Sequence, residues 1–117
     1  MKFVCLIYSD EADPTSHPEP GSDEFNAMIA AYRSFGEEAG ERVVAGAPLT
    51  PTPTATSVRV RSGETIATDG PFAETKEQLG GFYLLDCESR QEALELAAKI
   101  PHATSGTIEV RAVPEFD

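Results

Sequence analysis

Hydrophobic positions alternate at the start of the chain, with Phe3, Cys5 and Ile7 on one side and Val4, Leu6 and Tyr8 on the other. This period of two predicts a strand over residues 2 to 8, and because both faces are apolar it must be covered twice. From Ser22 the period changes. Phe25, Met28, Ile29, Tyr32, Phe35 and Ala39 recur at spacings of three and four, which predicts a helix with one apolar stripe and Gly40 as its stop signal. A strand is expected at Arg42 to Ala47, after which Pro48, Pro51 and Pro53 hold an extended connection. Thr56 to Arg61 and Glu64 to Asp69 read as strands of a small hairpin turning at Ser62-Gly63. Gly80-Gly81 opens a further strand through Cys87, and Ser89 with Glu92 has capping-box spacing at the head of a second helix. That helix carries Ala93, Leu94, Ala97, Ala98 and Ile100 and ends at Pro101, and a closing strand runs from Gly106 to Val113.

The resulting order, β-α-β-β-β-β-α-β, puts two helices on a four-stranded antiparallel sheet with an inserted hairpin. This is an α+β, ferredoxin-like arrangement in one domain spanning residues 1–117. Both helices stack on one side, so half of the first strand's apolar residues face the other way, and such a face is an association surface. A second subunit should cover it. Two sheets packed face to face make a dimeric α+β barrel, whose interior or mouth is the natural place for a ligand.

Charge narrows the partners. With 9 Lys+Arg against 20 Asp+Glu the net charge is −11, which repels nucleic acid and anionic lipid. No apolar run approaches the ~18 residues of a membrane span, and the start lacks a cleavage site like that of a signal peptide, so a cytoplasmic location is expected. Cys5 and Cys87 lie in strand-like apolar runs and read as reduced, buried thiols.

The segment from Asp69 to Tyr83 concentrates turn chemistry, alternating charges and a double glycine. Gly70 can take dihedrals other residues avoid, Pro71 fixes its own backbone, and Phe72 is expected to anchor the turn. Asp69-Gly70-Pro71-Phe72 followed by Glu74-Thr75-Lys76-Glu77 resembles the signature of the YCII-related proteins, in the branch called DGPF-domain proteins. The likeness extends to the first strand, to Leu84-Leu85-Asp86, to the helix ending at Ile100-Pro101 and to Glu109-Val110-Arg111. It implies the dimeric α+β barrel more than any one activity.

Asp69, at a strand end beside a Gly-Pro turn, can serve as a base at a cleft edge or simply cap the turn. Glu77 is the other candidate proton carrier, and Glu74, Lys76 and Glu77 can orient a polar substrate or hold the loop by ion pairs. Arg111 shares a strand side with Glu109 and is either a carboxylate anchor or an ion-pair partner. Asp69, Phe72, Lys76, Glu77 and Arg111 are therefore the candidate ligand-binding residues, with Asp69 and Glu77 the catalytic candidates. Tyr8 and Tyr83 read as packing residues. His17 lies in an acidic, Pro-rich loop that reads as solvated and mobile, its spacing fitting no metal-ligand pattern. His102, directly after Pro101, serves as a base if it reaches the cleft. Other branches of the family are thought to use a His–Asp pair, the Asp preceding a Pro after the second helix. Here Ile100 precedes Pro101 and the first helix has no histidine, so that pair is not carried over.

No GxSxG elbow, phosphate loop, dinucleotide fingerprint or Cys–His cluster is present in the sequence, and neither metal nor cofactor is expected. What remains is acid–base chemistry of the lyase or isomerase kind on a small, mostly apolar molecule bound by a homodimer. The alternative is a non-enzymatic accessory or regulatory protein. Relatives with this signature are often encoded beside extracytoplasmic-function sigma factors, which points to that second class.

Overall fold

Phe3, Cys5, Ile7 and Ser9 are buried while Val4, Leu6 and Tyr8 are only half-buried, so the alternation of the first strand separates a covered face from a partly open one. A computed structural model describes residues 1–116. Its elements are β1 (Lys2–Ser9), α1 (Asp23–Ala39), β2 (Val43–Pro48), β3 (Thr56–Arg61), β4 (Glu64–Asp69), β5 (Gln78–Asp86), α2 (Arg90–Ala97) and β6 (Thr107–Ala112). Four strands form an antiparallel sheet in the order β2-β5-β1-β6, and β3 with β4 forms a separate hairpin. This is the ferredoxin-like α+β arrangement that the order of elements predicts.

Register explains the core. Phe3 lies opposite Leu85, Cys5 opposite Tyr83 and Val110, and Ile7 opposite Gly81 and Ile108, so these residues share one face of the sheet. Phe35 and Ala39 of α1 and Ala93, Leu96 and Ala97 of α2 close over that face together with Ile100. Each large buried side chain there contributes about 1.5–3 kcal/mol. On the opposite face Leu6 meets Glu109 and Val4 meets Arg111. Cys5 and Cys87 are free and buried, as expected, and burial pushes the Cys5 thiol up to about 11, with Cys87 adding to the shift.

Ser22 starts α1 by accepting the Phe25 N–H at 3.1 Å, and Asp23 and Glu24 sit at the positive end of the helix. In α2 Ser89 accepts from Glu92 N at 3.1 Å, but the Glu92 carboxylate reaches Glu88 N, at 3.2 Å, rather than closing a box on Ser89. The helix also ends sooner than Pro101. Lys99 and Ile100 tighten into bonds to Leu96 and Ala97, and Ile100 is extended because a residue before proline is driven out of the helical region. Leu96 is buried in place of the expected Leu94, which is 38% exposed. β5 likewise begins at Gln78, ahead of the double glycine.

The hairpin stands apart from this body. Ser62 and Gly63 both have positive φ, the turn that matches strand twist, yet Val58, Val60 and Ile66 are all exposed. The chain consequently measures 47 × 46 × 19 Å, with a radius of gyration of 16.1 Å against about 13 Å for a compact domain of this length. Among the described residues no helix is long and apolar enough to cross a membrane.

Candidate functional site

The acidic loop after β1 is held by its own backbone. Asp10 accepts from Ala12 N and Asp13 from Thr15 N, both at 2.9 Å, while the Asp13 carbonyl accepts from Ser16 N and His17 N. The Thr15 N–H, followed by weaker bonds from Thr15 and Ser16, holds the Asp13 carboxyl below its ordinary value. Glu11 fastens the loop across the molecule, accepting Thr52 N at 2.9 Å and the Thr52 hydroxyl at 2.5 Å. The loop is thus tied down, against the expected mobility, while His17 itself is exposed, as the solvated reading has it. Its Nε2 lies 2.8 Å from the buried hydroxyl of Ser9 at the end of β1.

Pro101 opens a short helical turn, Pro101–Thr104, that carries His102 to the same place. His102 Nε2 lies 2.8 Å from the Ser16 carbonyl, and its Nδ1 is hydrogen-bonded to the Tyr32 hydroxyl of α1. The His17 and His102 rings stack with centroids 5.5 Å apart. Burial, reinforced by Tyr83 and opposed by the backbone N–H of His102, pushes the Tyr32 phenol up to about 12.

These four side chains form the polar end of a 390 Å³ cavity between α1 and the sheet. Ile7, Met28, Pro48 and Leu49 supply apolar walls, and among the described residues no Lys, Arg, Asp or Glu lines it. It explains why Met28, Ile29 and Tyr32 stay partly open while Phe35 and Ala39, lower on the same stripe, are buried. The glycines shape it: a Cβ on Gly46 would lie 2.6 Å from Tyr83, and one on Gly81 3.0 Å from the Ala47 carbonyl. The cavity belongs to the helix-covered face, not to the open face where a barrel interior would form.

The signature residues lie elsewhere. Asp69 ends β4 opposite Thr56, and the turn after it is closed by Gly70 N to Ala55 O at 2.6 Å and by the Ser57 hydroxyl to Gly70 O at 2.8 Å. Phe72 is 79% exposed, with the Arg59 guanidinium 5.2 Å from its ring centre, so it does not anchor the turn in the core. It does line a second cavity of 530 Å³, with Tyr8, Leu49, Thr52 and Gln78 among the other walls. Glu77 accepts from the Thr107 hydroxyl at 2.8 Å, the Lys76 carbonyl accepts from Gln78, and Arg111 stands on the open sheet face opposite Val4. None of Asp69, Lys76, Glu77 and Arg111 lines either cavity. Tyr8 donates to Glu109 at 3.3 Å, and Tyr83 packs on Phe35 with ring centres 4.9 Å apart.

Sequence reasoning passed over Ser9 and the hydroxyl of Tyr32, set His17 aside in its loop and left His102 conditional. Local signals for them are slight: Ser9 continues the buried parity of β1, and Tyr32 belongs to the helical stripe. Their meeting depends on the fold.

The profile of the YCII-related domain matches residues 1–117. An uncharacterised protein of Rhizobium meliloti (strain 1021) is 41% identical over 113 residues, covering 95% of this chain and 90% of that protein. Among solved structures, a 5-chloro-2-hydroxyhydroquinone dehydrochlorinase from Burkholderia phenoliruptrix AC1100, in complex with 2,5-dihydroxybenzoquinone, superposes with a TM-score of 0.54. It covers 99% of this chain and 96% of its own at 16% identity, a likeness of fold.

Proposed function

Because the chain belongs to the YCII-related domain family, we propose that it binds a small, mostly apolar molecule between α1 and the sheet and acts on it by cofactor-free acid–base chemistry of the lyase or isomerase kind. The observation that carries this reading is the convergence of Ser9, His17, Tyr32 and His102 at one end of an otherwise apolar cavity. An imidazole is a group that can hold and move a proton, and a hydrogen-bonded phenol can relay one. The dehydrochlorinase of the same fold is consistent with elimination chemistry on such a scaffold.

The working unit in this proposal is a homodimer, supported by the half-exposed Val4, Leu6 and Tyr8 on the open sheet face. Two free, buried thiols suit a reducing cytoplasm. Asp69, Phe72, Lys76, Glu77 and Arg111 are then residues of a second binding region or of the subunit contact, with Asp69 or Glu77 as the rival proton carrier. Native mass spectrometry of protein purified without added ligand tests the main reading. A bound small molecule lost in Tyr32→Phe or His102→Gln supports it, while one lost only in Asp69→Asn moves the site to the signature.

A second reading is a regulatory protein of extracytoplasmic-function sigma factor signalling that performs no reaction. The projecting hairpin favours it, since an isolated two-stranded hairpin is marginal in water and gains from a partner. Binding of such a sigma factor that is abolished by Val58→Ser with Val60→Ser, without loss of the dimer, would support this class.

A further inference from the structure

Resting on the proposal that the cavity between α1 and the sheet is the site, we infer that its polar end recognises an uncharged ligand by a hydroxyl that the ligand itself donates, with the Tyr32 oxygen as acceptor. The direction follows from the chain of partners behind Tyr32. A carbonyl can only accept, so the Ser16 carbonyl at 2.8 Å assigns the proton of neutral His102 to Nε2. Nδ1 then carries a lone pair, and the Tyr32 hydroxyl donates to it. The single hydrogen of Tyr32 is thereby committed away from the cavity, and what Tyr32 offers to a ligand is its oxygen lone pairs.

The ligand class follows from the walls. With no Lys or Arg lining the cavity, a carboxylate or phosphate would be desolvated without a counter-charge. With Ile7, Met28 and Leu49 around it, most of the molecule is apolar. A phenol or enol carrying its own O–H satisfies both conditions, whereas the corresponding ether brings no donor to the Tyr32 oxygen. The same bonds form a proton path for an acidic enough ligand. The ligand's O–H proton passes to the Tyr32 oxygen as the Tyr32 proton passes to His102 Nδ1, leaving a ligand anion and an imidazolium that still donates Nε2–H to Ser16.

The test compares 4-nitrophenol with 4-nitroanisole by calorimetric titration, at a pH below the ionisation of the phenol. The wild-type protein should bind the phenol ~10-fold more tightly than the ether, as one net hydrogen bond implies. Tyr32→Phe should reduce that ratio, and Tyr32→Phe with His102→Leu, which also removes the acceptor nitrogen, should abolish it. Equal affinity of the wild-type protein for both probes, or a ratio preserved in the double variant, overturns the assignment. Failure of the wild-type protein to bind either probe overturns the cavity reading beneath it. Where the double variant does not fold, an unchanged ratio in Tyr32→Phe overturns the assignment instead.

Discussion

The rings of His17 and His102 lie 5.5 Å apart between centroids and 28° from parallel, so the loop after β1 and the turn after α2 meet over one end of the cavity. Each imidazole is held by a different element: His17 by Ser9 of β1, and His102 by Tyr32 of α1 and the Ser16 carbonyl. Two like charges at that separation repel by about 3 kcal/mol at an effective dielectric of 20.

Replacing His102 separates its structural part from its chemical one. His102→Ala leaves the Tyr32 hydroxyl and the Ser16 carbonyl without their partner and should cost about 1–3 kcal/mol. His102→Gln offers an amide oxygen to Tyr32 and an amide N–H to Ser16, imitating the neutral ring, and should recover most of that loss without regaining proton uptake. Calorimetric unfolding checks the order wild type, Gln, Ala. Equal losses in the two variants would mean that the hydrogen bonds to Tyr32 and Ser16 contribute little.

Much of the frame was legible in the sequence because it rests on local physics. Period-two and period-three-to-four spacings gave β1 and α1, and Ser62-Gly63 gave the hairpin. The open end of the α1 stripe was not legible. Met28, Ile29 and Tyr32 obey the same spacing as Phe35 and Ala39, and only the tertiary placement of β2 and of the loop around His17 makes them cavity walls. The early end of α2 was not legible because its last turn tightens, Lys99 and Ile100 bonding to Leu96 and Ala97, which no spacing signals. The signature around Asp69 drew attention for its density of special residues, yet those residues shape a turn through Gly70 and Ser57.

Alkaline pH should weaken the fold. Burial pushes Cys5 up to about 11 and Tyr32 up to about 12, from ordinary values of 9.0 and 10.0. A raised folded value means the folded chain keeps protons that the unfolded chain has lost, so stability is fully present below pH 9 and declines as pH rises through 11 to 12. Melting temperatures measured from pH 8 upwards should fall, and Cys5→Ala should flatten the first part of the decline. A flat profile would place both groups in contact with water.

Gly106 leads into β6 where the strand passes close to β1. A Cβ there would lie 2.1 Å from the Tyr8 carbonyl oxygen and 3.2 Å from Ser9 Cα, contacts with backbone that cannot swing aside. Gly106→Ala should therefore destabilise by about 3 kcal/mol or more and disturb Ser9, the support of His17. Denaturant unfolding gives the first quantity, and the His17 ring resonance reports the second. A near-neutral variant would require β6 to be able to move away from β1.

The proposed homodimer can be separated from the ligand site because the two use opposite faces of the sheet. Leu6 lies on the open face beside Glu109, whereas the cavity takes Ile7 and Ser9 from the covered one. A lysine in place of Leu6 can pair with Glu109 within one chain, so the fold should survive, but burying it against a second sheet exacts a desolvation penalty of several kcal/mol. Leu6→Lys should accordingly sediment as a monomer at concentrations where the wild-type protein is a dimer, while still binding 4-nitrophenol. A variant that stays dimeric would remove the open sheet face from the interface and leave the hairpin as the remaining route to assembly. A monomer that also loses the probe would tie cavity and dimer together, because the covered face would then depend on what packs against the open one.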